Sequence, residues 1–75
     1  MNAILDVRPE SDFLRAHHPD AANIPLEELD SRIHELPRPY EPLTIFDTNE
    51  VRAEEAAADL KGRGRDETIV VHGEE

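Results

Sequence analysis

The chain has 75 residues, 18 of them Asp or Glu against 8 Lys or Arg, with a formal net charge of −10, no cysteine and 37% apolar side chains. One small domain is the expectation, with a marginal core, because a chain of this size buries only about 60% of its unfolded surface. The charge opposes binding to nucleic acid or to an anionic membrane surface, the missing thiols exclude disulfides, thiolate catalysis and sulfur-ligated zinc, and no apolar run approaches the roughly 20 residues of a membrane span.

Ala3-Ile4-Leu5-Asp6-Val7 is a short, nearly continuous apolar run, the pattern of a strand buried on both faces in a parallel sheet. Pro9 closes it, and Glu10 to Ala16 suits a short helix with Phe13 and Leu14 turned inward. The stretch from His17 to Pro25 is rich in turn formers, with a residue or two of extended chain at Ile24. Leu26, Leu29, Ile33 and Leu36 then repeat at the spacing of an amphipathic helix, started by Pro25 and ended by Pro37, Pro39 and Pro42.

Leu43 to Phe46 is the second clear strand. Asn49 or Glu50 to Lys61 is the second clear helix, with Val51, Ala56, Ala57 and Leu60 as its packing face and Gly62 and Gly64 as its stop. Thr68 to Val71 is a third strand. Strands alternating with helical segments imply right-handed crossovers and a mainly parallel sheet. The chain stops just after a strand, where a parallel sheet needs another covering helix, so the expected fold is minimal or truncated.

The passage from Phe46 to Arg52 concentrates the chemistry. A strand ends, a short polar loop turns and an alanine-rich helix begins, which presents free backbone N–H groups to an anion. Loops of this kind place a nucleophile first, where those N–H groups lower its pKa. Here that position holds Asp47.

The assembled residues resemble the rhodanese-like family. Its strand ending in D-V-R, its acidic and aromatic segment, its G-H-I-P-G-A-x-N-I-P stretch and its six-residue loop from Cys to Arg find counterparts here. These are Leu5-Asp6-Val7-Arg8, Glu10-Ser11-Asp12-Phe13, Ala16-His17-His18-Pro19-Asp20-Ala21-Ala22-Asn23-Ile24-Pro25 and Asp47-Thr48-Asn49-Glu50-Val51-Arg52. Gly73 stands where the family has a glycine after its next strand. The resemblance implies a small rhodanese-like three-layer α/β fold, a mainly parallel sheet covered by helices and truncated at both ends. In the family, the first loop residue is the cysteine that carries a persulfide. Asp47 in its place cannot do so, Glu50 replaces a mid-loop glycine, and Ala16 and Asp20 replace two more. The resemblance thus implies the fold and withholds the activity. Family members with Asp at this position include the non-catalytic halves of tandem sulfurtransferases.

Each candidate residue also has a plain structural role. Asp47-x-x-Glu50 has the form of a capping box, which would fill the anion cradle with the chain's own charge. Arg8 and Arg52 can pair with Asp6 and Asp47, and Asp6 can accept from nearby loop N–H groups. His17 suits packing and hydrogen bonding. His17, His18 and Asp20 form an H-H-x-D string, but adjacent loop histidines rarely converge on one ion, so no metal is expected. His34 and His72 receive no role. Glu41, Glu50, Glu54, Glu55 and Asp59 form either a solvated face, which the helix dipole favours for the first-turn acids, or a docking surface for a basic partner.

The expected function is therefore a rhodanese-like domain without the persulfide-forming cysteine, acting as a non-catalytic binding or regulatory module. The expected binding loop is Asp47 to Arg52, supported by Asp6, Arg8 and His17. One alternative is a sulfurtransferase homologue with little or no activity. The other is a small-anion sensor or a carboxylate-dependent hydrolase that reuses the loop. No cofactor is expected. The partner expected is a protein with a basic surface or a larger enzyme. The N-terminus lacks the order of a secretion signal, which points to the cytoplasm.

Overall fold

The structure, a computed structural model, describes residues 3–36, 43–65 and 68–72. Four parallel strands form one sheet in the order β2-β1-β3-β4, with β1 at Ala3–Asp6, β2 at Ala21–Asn23, β3 at Leu43–Asp47 and β4 at Thr68–His72. Leu5, Ile45 and Val70 share one register row and hence one face of the sheet. That face packs against helix α2 at Glu50–Gly62, through Ala53, Ala56 and Leu60, and against the side chains of Leu26, Leu29, Ile33 and Leu36. Alanines at the contact let the helix approach the sheet closely. The opposite face carries the row Ile4, Thr44, Ile69 and the row Asp6, Phe46, Val71. On β4, Ile69 and Val71 remain 52% and 40% exposed there.

Several expectations change on folding. The apolar stripe from Leu26 to Leu36 forms two 3₁₀ turns, Leu26–Glu28 and Ile33–Glu35, instead of one α-helix. Asp30 and Ser31 interrupt it, and the Ser31 hydroxyl donates to the Glu28 carbonyl at 3.0 Å. The stripe survives because Leu26/Leu29 and Ile33/Leu36 are three residues apart, and such pairs share a side of a 3₁₀ turn. Helix α1 at Glu10–Arg15 buries no residue, and Leu14 is 69% exposed where an inward side chain was expected. Phe13 instead stacks on His17, with ring centroids 3.8 Å apart. Val51 is 65% exposed. It lies about 200° around the helix from Ala53, which holds the buried position the sequence assigns to Val51.

Strand β2 covers Ala21–Asn23, just before the residue or two of extended chain expected at Ile24. Ala-Ala-Asn has poor strand propensity, and pairing with β1 imposes the conformation. Asn23 Nδ2 secures it by donating to the carbonyls of Asp6 and Arg8, each at 3.0 Å. The stop of α2 falls at Gly64, whose φ of 91° favours glycine. There the N–H groups of Gly64 and Arg65 donate to Lys61 and Leu60. Pro37, Pro39, Glu41, Pro42 and Gly73 lie outside the described residues.

Candidate functional site: two buried ion pairs where the sheet reverses

From β1 the chain moves outward to β2, and from β3 it moves outward the other way to β4. The direction reverses between β1 and β3, and the carboxyl ends of such strands frame the binding crevice of open parallel sheets. Asp6 and Asp47 end these two strands, and both are fully buried.

Asp6 accepts from the Arg8 backbone N–H at 3.0 Å and from Arg8 Nε and Nη2 at 3.0 and 2.8 Å. Arg8 Nη2 also donates to the Ala16 carbonyl at 2.8 Å, which ties the end of α1 to the end of β1. The guanidinium lies 4.9 Å from the centroid of the Phe46 ring. The hydrogen bond to Asp6 raises the Arg8 pKa above its ordinary range, against the opposing effect of burial.

Asp47 belongs to the other face of the sheet, beside the start of α2. Its Oδ1 accepts from the Asn49 N–H at 2.8 Å and from Arg52 Nη2 at 2.8 Å, and its Oδ2 accepts from Arg52 Nε at 2.5 Å. The pair is bidentate and charge-assisted, and it raises the Arg52 pKa. The capping box anticipated for Asp47 and Glu50 is replaced by another device. Asn49 is the N-cap, its side chain accepting from the Arg52 N–H at 3.0 Å. Asp47 sits two residues before the cap, so its carboxylate meets the turn N–H and the guanidinium one helical turn on. Thr48 is half-buried, and Glu50 and Val51 are exposed.

His17 takes part in neither ion pair. Its Nδ1 lies 2.7 Å from the Phe13 carbonyl and donates to it. Sequence reasoning missed Asn49 as the cap, Asn23 as the tie between β1 and β2, and Phe46 as the partner of Arg8. An Asn two residues after a strand and at the head of a helical run is the signal that could have identified the cap. Among the described residues no three His, Asp or Glu side chains are placed to hold a metal ion, and no helix is long and apolar enough to cross a membrane.

The rhodanese-like domain model matches residues 1–75. Thiosulfate sulfurtransferase from Pseudomonas aeruginosa is 40% identical, with a TM-score of 0.85, over 92% of this chain and 13% of that one. The NAD-dependent persulfide reductase of A. fulgidus is 29% identical, with a TM-score of 0.80, over 96% of this chain and 13% of that one. The chain thus spans about an eighth of the length of these two relatives. A human single-domain sulfurtransferase, 21% identical, shares the fold with a TM-score of 0.84, over 99% of this chain and 77% of that one. A comparison with curated proteins gives no significant match. With the four-stranded parallel sheet, these matches make the chain a member of the rhodanese-like domain family.

Proposed function

We propose that the chain is a non-catalytic member of the family, with Asp47 standing where sulfur-transferring members carry cysteine, and that it works as a binding or regulatory module. The observation that carries this reading is the Asp47 carboxylate. It is fully buried and already held by the Asn49 N–H and the Arg52 guanidinium. A carboxylate cannot form a persulfide, and this one occupies the loop donors that an anionic substrate would need. With no thiol in the chain, a sulfur atom has no covalent carrier.

The net charge of −10 favours a partner with a basic surface. The short span of the chain within these two relatives suits a domain that acts beside, or inside, a larger enzyme in the cytoplasm. Likeness to a thiosulfate sulfurtransferase favours residual sulfur transfer as a second reading. The two readings separate in a thiosulfate:cyanide assay of the purified protein. Thiocyanate release equal to the buffer blank is expected, and release above it, proportional to protein concentration, would overturn the non-catalytic reading.

A further inference from the structure

Strand β4 is an edge of the sheet: among the described residues it pairs with β3 on one side and with no strand on the other. The direction of its open groups follows from the neighbouring ladders. The Phe46 carbonyl accepts from the Val7 N–H on the β1 side, so Ile45 and Asp47, which flank Phe46, turn their backbone groups to β4. Ile45 stands level with Val70, and Asp47 with His72. A parallel ladder then joins Ile45 to the backbone of Ile69 and Val71, and it leaves the N–H and C=O groups of Thr68, Val70 and His72 pointing outward. The side chains of Ile69 and Val71, on the face away from α2, are largely exposed beside them.

The strand Thr-Ile-Val-Val-His holds no Lys, Asp, Glu or Pro, in a chain of which 35% is charged, so the devices that ordinarily blunt a sheet edge are missing from it. Acids bracket it in sequence instead, Asp66 and Glu67 before it and Glu74 and Glu75 after it. Open backbone groups beside apolar side chains call for an extended chain, since a helix has already spent its own N–H and C=O groups. A second copy of this chain would bring its own net charge of −10 to the same edge, so self-pairing is opposed. We infer that β4 binds an extended segment of a partner protein, which joins the sheet as a further strand with apolar side chains over Ile69 and Val71 and basic residues at both its ends. The inference rests on the module reading and names the surface and the partner chemistry through which the module acts. Main-chain hydrogen bonds to Thr68, Val70 and His72 supply affinity, and the apolar and basic side chains supply selectivity.

The test is a titration of the 15N-labelled protein with the peptide KKVTVTVKK, with its charge-reversed form EEVTVTVEE, and with KKVTPTVKK, in which proline removes a backbone donor. The first peptide is expected to give saturable shifts centred on Thr68 to His72 and slower hydrogen exchange at the outward amides of Thr68, Val70 and His72. The other two are expected to bind about tenfold more weakly or worse. The double variant Ile69→Lys/Val71→Lys alters two exposed side chains, so a well-dispersed spectrum with about tenfold weaker binding of the basic peptide is expected. The inference is overturned by the absence of saturation, by either control peptide binding as tightly as the first, by shifts confined to other elements, or by a double variant that binds unchanged. It is overturned equally by a free protein that sediments as a dimer with those three amides already protected. Failure of the peptide beside a blank thiosulfate:cyanide assay removes this edge and leaves the module reading, whereas thiocyanate release removes the module reading whatever the peptide does.

Discussion

Asp6 and Asp47 are the two fully buried carboxylates among the described residues, and each is tolerated there because an arginine and a backbone N–H complete its hydrogen bonds. Removing one partner is costlier than the pair is worth, since the other charge is left without compensation. Asp47→Ala leaves the half-buried Arg52 guanidinium and the Asn49 N–H without their acceptor, and a loss of about 2–4 kcal/mol is expected in urea unfolding. Asp47→Asn keeps an acceptor for the turn N–H and should cost less than half as much. Equal losses for the two variants would mean that the ion pair, and not the turn, carries the whole effect.

At the scale of the element, helix α2 depends on a cap that differs from the one its sequence suggests. The Asn49 side chain accepts from the Arg52 N–H, while Asp47 binds the Asn49 N–H and the Arg52 side chain, so cap and ion pair converge on Arg52. Asn49→Ala is expected to cost about 1 kcal/mol by loss of the cap. It should also loosen the Arg52–Asp47 pair, so the double variant Asn49→Ala/Asp47→Asn should cost less than the sum of the two single changes. Additivity in that cycle would separate the two devices. The 3₁₀ turns have their own network: Arg32 donates to Glu28 and Glu35 and holds the Glu35 carboxyl below the usual carboxylate range. Arg63 bridges Asp30 and Asp59, joining the turns to α2.

For the whole molecule, 18 acids on so short a chain repel one another in the compact state. Salt at 1 M reduces the screening length to about 3 Å, from about 10 Å at 0.1 M. It weakens that repulsion more than it weakens the buried pairs of Asp6 and Asp47. The melting temperature by circular dichroism is therefore expected to rise between 0.05 and 1 M NaCl. A fall would mean that the surface pairs of Arg32 and Arg63 outweigh the net repulsion.

Much of this fold is legible in the residue order. The apolar runs at Ala3–Val7, Leu43–Phe46 and Thr68–Val71 determine three parallel strands, because local hydrophobicity over a few residues suffices to mark a buried strand. Likewise the partners Asp6–Arg8 and Asp47–Arg52 lie close in sequence, so short range decides them. Tertiary structure alone decided the rest. Pairing with β1 makes a strand of Ala21–Asn23, and packing against the sheet selects Ala53 over Val51 as the buried side chain. The Ser31 hydroxyl and the Asp30 interruption turn a helical stripe into two 3₁₀ turns. The Arg8 guanidinium lies over the Phe46 ring only because the sheet sets the ends of β1 and β3 side by side, a juxtaposition that no local pattern encodes.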